Sequence, residues 1–187
     1  KTFSQGFVYR QVPGTRLVLA GGVRLGLATG FERSVPRVGD DGWPLVDPDG
    51  QPLIDTVRDL PASERFYAGG DTTVRGFTLD RLGDADTIDP DGFPTGGDAV
   101  LITNAELRFP VTRTLGGVVF LDAGNVFARV RQVDLGRVRA AAGFGLRYKS
   151  PIGPLRLDVG FKLDPQVLGN GQRERRYALH LSIGQAF

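Results

Sequence analysis

Apolar residues recur at every second position through long stretches of this sequence, in segments that reach about 10–13 residues. Within 154–164 the odd positions are Leu, Leu, Val, Phe and Leu, whereas the even positions include Arg156, Asp158 and Lys162. Because successive strand residues point to opposite faces, such a segment has one apolar and one polar face. The pattern predicts β-strands and no helix.

The alternation predicts seven strands, at 1–11, 16–28, 101–109, 116–128, 137–149, 154–164 and 176–187. Most are longer than the usual 5–6 residues and match the roughly 9–11 that a tilted strand needs to cross a bilayer. Arginine and glycine dominate the polar faces, as in a barrel interior. Short connections at 12–15, 110–115 and 150–154 alternate with long ones at 32–98, 129–136 and 164–175. These features predict an all-β transmembrane antiparallel barrel in a bacterial outer membrane, with its C-terminus periplasmic and its long loops extracellular.

Seven strands are too few to close such a barrel, which has at least about eight. An open sheet would leave unpaired backbone groups in lipid, at several kcal/mol each. The sequence also begins with Lys and has no leader peptide. We therefore expect residues 1–187 to be the C-terminal part of one larger barrel domain, with a long loop at 32–98.

Composition and motifs argue against enzymatic chemistry. The chain has no cysteine, which excludes a disulfide framework, thiol catalysis and a cysteine-based zinc site. The only histidine, His180, stands on a polar strand face without evident partners and is interpreted as an interior polar residue. The Asp-Pro-Asp-Gly segments at 47–50 and 89–92 lack the bidentate Glu of a calcium loop and are interpreted as turns. We expect no catalytic residues, no metal and no cofactor.

The net charge of +2 conceals a segregation, with acidic residues concentrated in 32–98 and basic residues outside it. The basic residues are spread singly through apolar segments and do not form a cluster. A nucleic-acid partner is therefore not expected.

One segment of the long loop, 66–77, differs from an ordinary turn because apolar residues flank three glycines and a single arginine. This segment, Phe-Tyr-Ala-Gly-Gly-Asp-Thr-Thr-Val-Arg-Gly-Phe, resembles the Val-Arg-Gly-Phe loop of the BamA/TamA superfamily of outer-membrane protein insertases and translocators. The resemblance continues through 104–110, 119–126, 145–158 and 181–187. It implies the C-terminal seven strands of a sixteen-stranded barrel.

The resemblance also implies a set of functional residues. The loop motif comprises Gly69, Gly70, Val74, Arg75, Gly76 and Phe77, and in the family this loop folds back into the barrel lumen. Its arginine would then meet Glu106 and Asp122, which the alternation independently assigns to the polar face. Gly184 matches a glycine at which the last strand can bend, and Phe187 matches the aromatic end of outer-membrane proteins.

The function that the resemblance implies is assembly and insertion of β-barrel proteins into the outer membrane. The partners would be outer-membrane lipids, unfolded outer-membrane protein clients, and periplasmic or lipoprotein accessory subunits. A two-partner secretion translocator is the alternative within the superfamily. A passive anion-selective porin is a further alternative, against which the motif set argues.

Overall fold

The computed structural model describes residues 1–151 and 153–184, and this part of the chain contains nine strands. They are β1 (Thr2–Gln11), β2 (Val18–Leu27), β3 (Glu32–Pro36), β4 (Ile54–Arg58), β5 (Ala99–Pro110), β6 (Leu115–Phe127), β7 (Arg139–Ser150), β8 (Gly153–Lys162) and β9 (Tyr177–Ile183). Seven of them form one antiparallel sheet in the order β1-β2-β5-β6-β7-β8-β9. The seven predicted strands and the all-β fold class are confirmed; β9 begins one residue later than predicted, and positions 185–187 of the predicted strand lie outside the described residues.

The two faces of the sheet have the predicted difference in chemistry. We call the face that packs against the long loop the inner face, and the opposite one the outer face. On the outer face, the side chains of Phe144 and Leu157 are 55% and 40% exposed. On the inner face, Arg156 and Asp158 are 2% and 1% exposed. A lipid-facing surface and a polar interior account for this division.

Strand β1 departs from the pattern because its aromatic residues lie on the inner face. Phe7 pairs with Gly22 of β2, and the Phe7 ring covers the space beside that glycine. Phe3 stacks on Phe66 of the loop, with ring centroids 6.3 Å apart. The Arg24 guanidinium lies 5.2 Å from the Phe7 ring centroid, a cation–π distance. Glycines opposite the rings thus provide the room that places aromatic groups inside.

The long loop contains a hairpin that the sequence analysis missed. Strands β3 and β4 pair antiparallel, and two ion pairs, Arg33 with Asp59 and Arg37 with Asp55, brace them. Each strand has only five residues and contains charged or proline residues, which is too short for alternation to be recognised.

A single turn type recurs four times in the loops. Each copy forms a bridge between residues six apart and has a glycine with positive φ near its end; the copies run from Val38 to Pro44, Val46 to Pro52, Ile88 to Pro94 and Val167 to Arg173. In the two Asp-Pro-Asp-Gly copies, Asp47 and Asp89 each accept two backbone N–H bonds through Oδ1. These carboxylates thus stabilise turns. Across 1–151 and 153–184, no group of three His, Asp or Glu side chains could hold a metal ion.

The apolar core lies between the loop and the inner face of the sheet. Loop residues Leu60, Phe66, Ala68, Val74, Phe77 and Leu82 pack against wall residues that include Val100, Ile102, Val126 and Ala141. Burying apolar surface contributes about 25 cal/mol per Å², so this contact holds the loop inside the curved sheet. Within the described residues, no helix has the length and hydrophobicity needed to cross a membrane.

Candidate functional site

Arg75 of the loop is buried against two acidic side chains of the sheet. Its Nε and Nη2 donate to the two carboxylate oxygens of Asp122 at 2.7 and 2.8 Å, and its Nη1 donates to Oε1 of Glu106. The backbone N–H of Arg75 also donates to Asp122, at 3.1 Å. Each of the three side chains is at most 1% exposed. The structure therefore brings the three residues that the sequence singled out into one bidentate, charge-assisted contact.

Strands β5 and β6 bring the two acids together. The register pairs Asn104 with Asp122, and Glu106 lies two residues further along the same inner face. Asn104 completes the arrangement, because its Nδ2 donates to Asp122 at 2.9 Å and to the backbone carbonyl of Thr73 at 2.6 Å. Asn104 thus holds both the loop backbone and the carboxylate that receives the arginine. No sequence pattern indicated this role of Asn104.

Further cations balance the acids, so that the cluster is a network. Arg108 donates to Glu106 at 2.6 Å through its Nε, and Arg24 donates to Asn104 at 3.0 Å. The Arg75 guanidinium also lies over the Phe120 ring, 3.6 Å from its centroid. A buried carboxylate needs such partners, since an isolated buried charge costs several kcal/mol.

The glycines of the loop motif have distinct conformational roles. Gly69 and Gly70 have φ values of +115° and +104°, which side-chain-bearing residues rarely adopt. The Gly70 N–H donates to the Phe77 carbonyl at 3.0 Å, and the Gly69 N–H donates to Thr73 Oγ1 at 2.8 Å. The two glycines thus close the segment 69–77 on itself, with Val74 and Phe77 buried beneath it.

The backbone of the motif lies directly on strands β7 and β8. A Cβ added to Gly76 would collide with the Ala141 side chain, and one added to Gly160 would lie 2.7 Å from the Gly76 nitrogen. The same Cβ would also collide with the Arg75 carbonyl. Because Gly160 has no side chain, the loop backbone can lie directly against β8 at this position. This role was not predicted from the sequence.

We expect Gly160→Ala to displace the loop, because its new Cβ would meet backbone atoms that cannot move unless the loop moves. The reporter is a Val74→Cys variant, since Val74 is fully buried and the chain has no cysteine of its own. Maleimide labelling of that cysteine should be faster in the Gly160→Ala background. Gly6→Ala is the matched control, because a Cβ at this strand glycine meets nothing within 4 Å. Equal labelling rates in the two backgrounds would contradict the close contact.

Phe77 lies between two cations that share one acidic partner. The Arg139 guanidinium and the Lys162 ammonium lie 4.7 and 4.6 Å from the Phe77 ring centroid. Glu174, in the β8–β9 loop, accepts from both Arg139 Nη atoms and lies 3.4 Å from Lys162 Nζ. It also accepts from the backbone N–H of Gln166 at 3.0 Å. This cluster ties the loop motif to β7, β8 and the β8–β9 loop.

Burial alone would raise the pKa of Glu174, but the Arg139 bonds and the Gln166 N–H outweigh it and hold that pKa below its ordinary value. A lowered pKa means that ionised Glu174 stabilises the folded state at neutral pH, and that this contribution disappears as the pH falls through the lowered pKa. We expect Glu174→Gln to lower the melting temperature at neutral pH, with a smaller difference from wild type in acid. Glu64→Gln is the control, because Glu64 is exposed and its carboxylate lies 3.4 Å from Lys1 Nζ. A difference that is independent of pH would contradict the ionic role.

The remaining predicted positions lie at the end of the chain. Gly184 follows β9, has a φ of +113° and has open space where a Cβ would stand. Its N–H donates to the Pro154 carbonyl at 2.8 Å. Phe187 lies outside the described residues.

His180 forms a contact with the loop that was not predicted from the sequence. Its Nε2 lies 2.8 Å from the backbone carbonyl oxygen of Arg75, so β9 contacts the loop at the motif itself. The alternation placed His180 on the polar face, but only the fold of the loop supplies its partner.

Comparison with known proteins identifies relatives for nearly the whole chain. The model of the Omp85 superfamily domain matches residues 8–187. The outer membrane protein assembly factor BamA of Nitratidesulfovibrio vulgaris is 31% identical over 133 residues, which cover 69% of this chain and 16% of the relative. The chloroplastic outer envelope protein 39 of Arabidopsis thaliana is 31% identical over 110 residues, covering 54% of this chain and 27% of the relative.

A solved structure shows the same fold. The crystal structure of BamA from Haemophilus ducreyi lacking POTRA domains 1-3 aligns with a TM-score of 0.50 and 22% identity, covering 90% of this chain and 35% of that one. This chain thus spans only a minor part of the length of the relatives it matches. Because the family model covers almost every residue from β1 to the C-terminus, the chain belongs to the Omp85 superfamily.

Proposed function

We propose that this chain is part of a protein that folds β-barrel proteins and inserts them into the outer membrane. The observation that carries the proposal is the buried contact of Arg75 with Glu106 and Asp122. It fixes the glycine-rich loop of the superfamily against the inner wall, where the apolar core of the chain lies. A loop that fills the interior in this way argues against a passive channel.

The proposed mechanism needs no covalent chemistry, because it consists of hydrogen bonding between the backbone edges of strands. In the described part of the chain β9 pairs with β8 only, so its other edge is available to a further strand. An exposed strand edge templates the pairing of an incoming strand. In the complete barrel, a weak seam between β9 and the first barrel strand would open to receive the client. Gly184 would ease the bending of β9, since glycine tolerates positive φ.

Orientation and partners follow from the same proposal. The short turns would face the periplasm and the long loops the cell exterior, with the apolar outer face in the lipid. The clients would be unfolded outer-membrane proteins, delivered with the help of periplasmic or lipoprotein accessory subunits. Residues 1–187 would form the C-terminal part of one barrel domain.

Reconstitution of the complete protein tests this function. A urea-unfolded outer-membrane barrel protein is added to liposomes with or without the complete protein, and its folding is followed by heat-dependent mobility on gels. We expect folding to be faster with the protein, and slower again when Arg75→Glu is introduced. Asp49→Asn, in an exposed turn, should leave the rate unchanged.

Two outcomes of this experiment would contradict the proposed function and identify a different one. Export of one client polypeptide across the liposome membrane, without its insertion, would identify a secretion translocator. Liposome swelling in anionic solutes without any client folding would identify a channel.

A further inference from the structure

Strand β9 contacts the loop motif through the His180 side chain. Nε2 of His180 lies 2.8 Å from the Arg75 carbonyl oxygen, across 105 positions in the sequence. Because a carbonyl oxygen can only accept a hydrogen bond, Nε2 is the donor and carries a proton. The bond therefore joins the last strand of the sheet to the residue whose side chain contacts β5 and β6.

The groups around His180 leave it free for this bond. In the register His180 faces Asp158 of β8, but Arg147 donates to both oxygens of that carboxylate, at 2.7 and 3.0 Å. Arg156 also donates to Asp158, at 3.2 Å. The charge opposite His180 is thus satisfied by arginines.

The Arg75 carbonyl lies where water has little access. It lies against Gly160, and the whole Arg75 residue is 1% exposed. A buried carbonyl that loses its donor is costly, because its desolvation is no longer compensated. The position of β9 therefore affects the stability of the docked loop.

We propose that His180 is a positioning residue that couples the last strand to the loop, so that movement of β9 away from the wall loosens the docked motif. This inference rests on the proposed function, in which β9 moves to admit a client strand. The coupling is reciprocal, since a free energy shared by two elements acts on both. Release of the loop would therefore ease the movement of β9.

The test compares three variants of the complete protein, each carrying Val74→Cys as the reporter of loop release and lacking other cysteines. His180→Leu removes the donor and keeps much of the volume. His180→Gln keeps an N–H donor at a similar reach. Ser182→Ala is the matched control, because Ser182 is the next inner-face residue of β9 and its buried hydroxyl has no hydrogen-bond partner in the described structure.

We expect maleimide labelling of the Val74→Cys reporter to be about 5- to 160-fold faster in His180→Leu, the factor that corresponds to leaving one buried carbonyl without its donor. The rates in His180→Gln and Ser182→Ala should match that of the parent. Locking β9 by a disulfide to the strand on its free edge should slow labelling in the parent and not in His180→Leu. Unchanged labelling in His180→Leu, or equal acceleration in Ser182→Ala, would overturn the proposal.

The labelling readout does not depend on client assembly. Normal labelling differences together with no client folding would leave the coupling standing and reject the insertase function. Client folding with no difference in labelling would reject the coupling and leave the function standing.

Discussion

Replacing Arg75 with methionine is expected to release the loop from the barrel wall and to cost about 3–5 kcal/mol of folding free energy. Methionine retains an unbranched apolar side chain but leaves Glu106 and Asp122 facing each other without the guanidinium that now bonds to both. The measurement is the melting temperature of the complete protein in detergent, together with labelling of the Val74→Cys reporter. Both should change strongly.

The matched control for Arg75→Met is Arg81→Met in the same loop. Arg81 is exposed and contacts the Phe93 ring at 5.3 Å, so its removal leaves no buried acid behind. Surface changes of this kind usually stay within about 0.5 kcal/mol. A loss of stability equal to that of Arg75→Met would show that net charge, and not the buried contact, sets the effect.

Adding Asp122→Asn to Arg75→Met should recover part of the lost stability. The double variant removes the acid that receives two of the arginine bonds, so the penalty for an unpaired buried charge falls. The stability losses of the single variants Arg75→Met and Asp122→Asn provide the comparison. If these two losses simply add in the double variant, Arg75 and Asp122 act independently, and the contact that supports the proposed function is not the reason for the loss.

Outside β1, the alternation of the sequence was sufficient to predict which strand residues face the loop and which face outward. Glu106 and Asp122 could be assigned to the inner face from parity alone, because a strand residue has only two directions to point. That Arg75 would meet them came from the resemblance of the loop motif, since no local rule relates residue 75 to residues 31 and 47 positions further on. The structure then supplied Asn104 and Phe120 as further partners.

The features that escaped prediction depend on contacts between distant segments. In the sequence, Gly160 looks like an ordinary strand glycine. Its role becomes visible only in the structure, where the loop backbone lies against it. His180 has no partner in its own strand, and its acceptor is a backbone carbonyl, which a sequence does not display. In β1 the aromatic residues point inward because Gly22 and the loop residue Phe66 offer them contact surface. Parity alone could not reveal that preference.

Leu157→Arg is the second change with a large expected effect, of about 2–4 kcal/mol near the bilayer midplane. Leu157 lies in the middle of β8 with its side chain on the outer face, where, in the proposed membrane placement, an arginine would be exposed to lipid. Unfolding of the complete protein in lipid vesicles by denaturant measures the loss. The adjacent Arg156→Leu is not a neutral comparison, because Arg156 bonds to Asp158 and to the Asp71 carbonyl.

Leu157→Phe is the matched control, because it keeps an apolar side chain at the same outward position and should change stability little. The position along the strand provides a second check, since the cost of arginine in a lipid-facing site falls toward the membrane interfaces. Leu155→Arg, nearer the short turn between β7 and β8, should therefore cost less than Leu157→Arg. If Leu157→Arg and Leu157→Phe had equal effects, the outer face of β8 would not lie in lipid. The sheet would then have to place that face against protein or water, contrary to the membrane assignment of this strand.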